Sequence, residues 1–186
     1  MKPLEFAVSY LSSKPNTAED LVGLLHTELP DDERFQTIKN GNATLVKRQR
    51  SRIVAFVESP LGDSVIGTIA LGERGHRPAC VKQGRWVSAS GDKCAVWNYH
   101  TAHIDPSDWW AVDCVVSQGF LGKGVHIALL EKFDELARAR CAGQVVYFHT
   151  DNPEVRAFCI VQGWEVAFVP AAGTSLAAGW VMSRQF

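Results

Sequence analysis

GFLGKGVHIALLE, residues Gly119 to Glu131, decides how this chain is read. Gly122 and Gly124 bracket Lys123, and an apolar pattern of helical spacing begins at once. The stretch before it, WAVDCVVS (Trp110 to Ser117), is apolar and β-branched and reads as a strand. A strand that enters a helix through a glycine-rich turn is suited to an anion. The first N–H groups of a helix have no intrahelical partner, and the helix dipole adds roughly half a positive charge there. Glycine also lets backbone approach a phosphate closely. Taken alone, the glycines fit a plain tight connection better than an anion site.

Two phosphate-binding patterns fail on this stretch. Gly119 and Gly124 have the spacing of G-x-x-x-x-G-K-[ST], but Val125 and His126 follow where Lys and Ser or Thr are required. The dinucleotide pattern G-x-G-x-x-G would place its third glycine at Ile127.

Outward from the turn, Leu129, Phe133 and Leu136 continue a helical face to about Arg140, and Glu131, Lys132, Asp134 and Glu135 are expected to face water. Gly143 to Thr150 reads as a buried strand. A short helix follows, with Pro153 in its first turn and its end near Gly163. Trp164 to Val169 and Gly179 to Arg184 read as a closing strand pair, a candidate edge for a second copy. Toward the N-terminus, Phe6 to Leu11 reads as a strand. A helix follows, capped at Asn16 or Thr17, with Asp20 completing a capping box and Pro30 ending it. Asp31 to Ile38 reads as another helix. Ser51 to Ser59 and Ser64 to Glu73 read as a hairpin around Pro60 to Asp63. Arg74 to Ser107 is irregular, with one strand expected around Cys94 to Tyr99. A connection that long inside a compact domain is usually functional or mobile. The pattern is α/β or α+β within a single domain covering residues 1–186.

Composition narrows the function. Hydrophobic residues make up 46% of the 186-residue chain, ample for one core. Lys plus Arg number 19 against 20 Asp plus Glu, a net charge of -1 that gives no footprint for nucleic acid. The one basic cluster, Lys47, Arg48, Arg50 and Arg52, reads as a solvated loop edge. No apolar run approaches the ~20 residues of a membrane span, and MKPLEFAVSY lacks a signal core. The five cysteines are odd in number and none forms a C-x-x-C spacing, which fits free thiols in the cytoplasm and gives no ligand set for a metal.

The run from Val116, V-x-x-x-x-x-G-K-G-V-x-x-A-L-L-E, resembles motif A of the GNAT superfamily of N-acetyltransferases. Asn152, Val155, Cys159, Gly163 and Trp164 fall where that family has N-x-x-A-x-x-x-Y-x-x-x-G-F. The resemblance covers residues 108 to 168. It implies a GNAT-like mixed sheet, splayed and flanked by helices, with the irregular stretch as a long insertion before the fourth main strand. The strands either side of the long helix should be parallel and adjacent. Three positions depart from the pattern: Leu121 and His126 replace the ends of [RQ]-x-x-G-x-[GA], and Cys159 replaces a tyrosine often used as general acid.

The resemblance further implies acetyl-CoA (coenzyme A) as cofactor and a small-molecule amine that attacks the thioester directly. The backbone of Val115 and Val116 would pair with pantetheine and donate to the oxyanion. Leu121, Gly122, Lys123, Gly124, Val125 and His126 form the turn that would take the pyrophosphate, and Asn152 would brace the pantetheine. Candidate bases lie near the preceding strand: His103 first, His100 behind it, then Asp108, which precedes Trp109 and Trp110 and reads equally as a capping or turn residue after Pro106. Asp113, within the strand, alternates with its neighbours as a solvent-facing residue would. Cys159 is the remaining catalytic candidate, although a cysteine on an apolar helix face is usually a small core residue. Trp97, Tyr99, Trp109 and Trp110 suit an aryl or cationic amine, or the packing of the insertion. Two other readings stand beside this one. One is a GNAT-fold protein that binds CoA or another ligand without acetyl transfer, or runs a different reaction such as thioester decarboxylation. The other is an interaction module built on the aromatic segment.

Overall fold

The computed structural model describes residues 5–14, 17–29, 51–72, 85–89, 96–98, 109–171 and 179–186, with the backbone alone for 85 and 96–98. These hold nine strands: β1 (Ala7–Tyr10), β2 (Arg52–Val57), β3 (Ser64–Leu71), β4 (Arg85–Ser88), β5 (Val96–Asn98), β6 (Trp109–Val116), β7 (Val145–Thr150), β8 (Glu165–Pro170) and β9 (Trp180–Gln185). They hold three α-helices: α1 (Ala18–Glu28), α2 (Val125–Arg140) and α3 (Pro153–Val161). The fold is mixed α/β, as expected, and the strand pairs are mostly antiparallel. The chain divides into two compact units, Met1–Leu71 with Asp113–Leu136, and Gly72–Val112 with Ala137–Phe186.

In the first unit the strand order is β1-β2-β3-β6. The expected hairpin is β2 against β3, antiparallel from Arg52↔Ala70 to Val57↔Ser64. Both strands are buried along almost their whole length, which suits their near-continuous apolar runs. α1 packs on β3, and Leu21, Leu25, Val54, Phe56 and Val115 meet in one apolar cluster. Thr17 is the N-cap of α1, but the capping box does not form. The Thr17 hydroxyl donates back to Lys14 O at 2.7 Å, and the Asp20 carboxylate accepts from the backbone N–H of Val65 at 3.1 Å. A tertiary contact thus claims the residue that local pattern assigned to the cap. In α2, Leu129, Phe133 and Leu136 are buried as expected. Asp134 is buried as well, because the apolar band also takes in Leu130 and Ala137 and so flanks it.

In the second unit the order is β6-β7-β9-β8-β4-β5. β6 and β7 are adjacent and parallel, which their connection through a helix allows. Their ladder has two rungs, Trp109↔Val146 and Trp110↔Tyr147, and Phe148, His149 and Thr150 continue β7 beyond it. β8 and β9 are the antiparallel closing pair, but neither is an edge. β9 also pairs with β7, and β8 with β4. β4 lies inside the stretch read as irregular. α3 packs on β7 and β9. Trp110 stacks on Tyr147 with centroids 5.1 Å apart, and Phe148, Trp164 and Phe186 meet edge to face. The helix expected at Asp31 to Ile38 lies outside the described residues.

Candidate functional site

β6 carries the first departure from regular backbone. Asp113 has φ of 51°, and among the described residues it is the one non-glycine with positive φ. A left-handed residue inside a strand is a bulge, and it re-aims the residues after it. It also breaks the period-2 alternation on which a solvent-facing Asp113 was expected. The residue is instead 8% exposed. Arg52, expected in a solvated basic cluster, is 0% exposed, and its Nη2 donates to Asp113 Oδ2 at 2.6 Å. Beyond the bulge Val115 and Val116 are buried. β3 comes so close that a Cβ at Gly67 would lie 3.1 Å from Val115 O and 3.2 Å from Val116 Cγ2. The backbone N–H of Ser117 donates to Ile66 O at 2.9 Å as β6 ends.

A single 3-10 turn, Gln118–Phe120, leads into the glycines. Gly122 and Gly124 have φ of 69° and 80°, a region that costs an L side chain roughly 1–2 kcal/mol. A Cβ at either would meet nothing within 4 Å among the described residues, so open space lies beside the backbone. Ala128 N donates to Gly124 O at 3.1 Å and closes the first turn of α2. Val125 anchors that turn in the core, and no acidic residue opposes an anion there. Leu121, Gly122, Lys123 and Gly124 are exposed, and His126 is half-buried in the helix's first turn. Lys123 folds back, its Nζ donating to Gly119 O at 2.7 Å and standing 5.0 Å from the centre of the Phe120 ring. Its charge therefore stays beside the turn.

In the second unit Asn152 caps α3. Its Oδ1 accepts from the backbone N–H of Glu154 at 2.8 Å and of Val155 at 3.3 Å. Cys159 is 1% exposed on the inner face of α3. Trp109 is half-buried and Trp110 fully buried. His100, His103, Asp108 and Tyr99 lie outside the described residues, and Trp97 is described by backbone alone.

The structure thus places Val115, Val116 and residues 121–126 along one strand, turn and helix start of the first unit. Reading the sequence strand by strand missed the Arg52–Asp113 pair. The signal was present: one cation opens RIVAFV and one anion interrupts WAVDCVV, and charges in buried strands need partners.

Solved structures of GNAT acetyltransferases align with nearly the whole chain and share its fold. A GNAT-family acetyltransferase from Streptococcus pneumoniae is 13% identical, with a TM-score of 0.60, 98% of this chain and 100% of that one aligned. An aminoglycoside 6′-N-acetyltransferase complexed with coenzyme A is 13% identical, with a TM-score of 0.53 and 96% of both chains aligned. A mosquito arylalkylamine N-acetyltransferase like 5b is 10% identical, with a TM-score of 0.54, 98% of this chain and 100% of that one aligned. No protein-family model matches the sequence, and no curated protein matches it. At these identities the likeness establishes the fold. Among the described residues no helix is long and apolar enough to cross a membrane.

Proposed function

We propose that this protein is an acetyl-CoA-dependent N-acetyltransferase acting on a small-molecule amine. The observation that carries the reading is the turn. Two left-handed glycines with open space at their Cβ positions lie at the start of a helix that has no acidic residue in its first turn. Such a turn would cradle a pyrophosphate, and the N–H groups of residues 122 to 125 are the groups that would hold it. Acetyl-CoA would supply the acyl thioester. Val115 and Val116 would offer backbone groups to the pantetheine and the oxyanion, and Asn152 would brace the pantetheine from the start of α3. Among the similar structures are enzymes named for aminoglycoside and arylalkylamine acceptors, which favours a small amine here. Trp97, Tyr99, Trp109 and Trp110 would receive an aryl or cationic group. His103, with His100 and Asp108 behind it, would take the proton from the attacking ammonium. A cytoplasmic setting belongs to the same reading, since acetyl-CoA is kept inside cells.

A second reading keeps the cofactor without the transfer. It is favoured by Cys159, which stands at the family's tyrosine position and is almost wholly buried. Calorimetry with acetyl-CoA tests the cofactor, and thiol release in the presence of phenethylamine and an aminoglycoside tests the transfer. Binding with release establishes the transferase. Binding without release under any amine supports the second reading. No binding discards both.

A further inference from the structure

Arg52 opens β2, and its side chain runs past β3 to reach Asp113 on β6 in the order β2-β3-β6. On the way its Nη1 donates to the hydroxyl of Thr68 at 3.3 Å, and that hydroxyl donates to Ile53 O at 2.7 Å. The side chains at the two ends are 0% and 4% exposed. Resting on the acetyltransferase reading, we propose that Arg52 and Thr68 are positioning residues. They form a buried strap that holds Asp113 in its left-handed conformation and thereby aims the peptide groups of Val115 and Val116 at the acyl end of the cofactor.

Three observations converge on this. First, a glycine would take φ of 51° without strain, yet the chain places an aspartate there. What aspartate adds is an anchor for Arg52. Second, a buried ion pair is a poor device for stability alone, because well-packed apolar groups of similar volume do as well or better. A pair that spans three strands and ends on the strained residue instead fixes a direction. Third, the backbone downstream of the bulge is clamped as well, where Gly67 lets β3 close on Val115 O. Strap and clamp together leave residues 113 to 116 little freedom, as electrostatic stabilisation by backbone donors requires.

Two double variants separate positioning from packing, because each removes both charges together. Arg52→Met/Asp113→Ala disfavours the left-handed conformation, whereas Arg52→Met/Asp113→Gly permits it without the strap. Carbon chemical shifts of residue 113 report its conformation in the protein alone. The amide shifts of Val115 and Val116 on adding acetyl-CoA, compared with those on adding CoA, report contact with the acyl carbonyl. In the alanine variant residue 113 should leave the left-handed region, and the acetyl-specific amide response should disappear. Thiol release should fall on the order of 100-fold, the scale of a misplaced catalytic group, while CoA affinity stays near that of the natural protein. The glycine variant should regain the amide response and most of the rate. The strap is overturned if the alanine variant keeps conformation and response, or if a folded glycine variant loses them as fully as alanine does. Should the alanine variant fail to fold, Arg52→Met/Asp113→Ser takes its place, since serine likewise disfavours the left-handed region: loss of conformation and amide response supports the strap, and their retention overturns it. If the natural protein binds no acetyl-CoA, the proposed function falls. The shifts of residue 113 still decide whether the strap holds its conformation.

Discussion

The glycine turn and the Arg52 strap belong to one strand and its exit, and they are built in opposite ways. The turn is exposed, uncharged apart from Lys123, and made by backbone conformation within a few consecutive residues. The strap is buried, doubly charged, and made by side chains from strands distant in the chain. In the turn a substitution acts on a ligand that approaches from outside. In the strap it acts on the strand itself. Stability measurements should therefore separate the two regions, and ligand binding should separate them the other way.

The largest effect is expected at Arg52. Arg52→Ala leaves the Asp113 carboxylate buried without its cation, a change that costs about 3–5 kcal/mol. Urea denaturation measures it. Adding Asp113→Gly in the same chain should recover much of the loss, because the stranded charge goes with it. A single variant as stable as the natural protein would mean that the pair is solvated, and the contrast between the regions would collapse.

Next comes Gly124→Asp, which should do the reverse. The new side chain occupies the open space beside the backbone, and its charge repels a pyrophosphate. Acetyl-CoA affinity should fall roughly 100-fold or more, equivalent to ~2.7 kcal/mol. The melting temperature should move only by the left-handed strain, ~1–2 kcal/mol. Calorimetry and a thermal melt on the same sample check both halves. Unchanged affinity would make the turn a connector.

The difference in legibility between the two regions is one of range. A glycine at positive φ, the start of a helix and an apolar period are properties of consecutive residues. The turn, α2, α3 and the β2–β3 hairpin could therefore be placed from sequence to within a few residues. Asp20, Asp134, Arg52 and Asp113 were read from the same local patterns, and each was assigned to a cap, to water or to a loop edge. Each is held by the tertiary fold, and only a pairing rule between strands could have joined Arg52 to Asp113. β4 was missed for a related reason: it is four residues long, and one of its two partners, β8, lies far along the chain.

Gly67 lies between the two cases, since it is a backbone feature that serves a tertiary contact. Gly67→Ala puts a Cβ 3.1 Å from Leu129 Cδ1 and from Val115 O. The leucine methyl can move, but the carbonyl cannot without shifting β6. Such overpacking typically costs about 1–3 kcal/mol. If β6 gives way, the amides of Val115 and Val116 shift with it, which NMR of the protein alone detects. A stability loss without any movement at these amides would confine the clamp to packing.

The smallest effect concerns His149 on β7, which tests burial in the other unit. Its ring meets the edge of Trp86 at 5.4 Å, and the Cβ position of Gly179 lies 2.9 Å from its Nε2. Burial holds its pKa below the ordinary histidine value, with the Asp151 charge opposing. The folded protein therefore takes up this proton less readily than the unfolded chain does. Above the unfolded value of ~6.5 neither state is protonated at this site and stability is level with pH. As pH falls below it the unfolded chain gains the proton first, and stability declines until the folded pKa is passed. The slope cannot exceed about 1.4 kcal/mol per pH unit for one proton. Thermal melts from about pH 8 down to about pH 5 should show this decline in the natural protein, and His149→Gln should flatten part of it. Gly124→Asp, changed only at the exposed turn, should keep the natural acid profile. Parallel acid profiles for the natural protein and His149→Gln would mean that the ring reaches water, and burial on this face of β7 would not govern its charge.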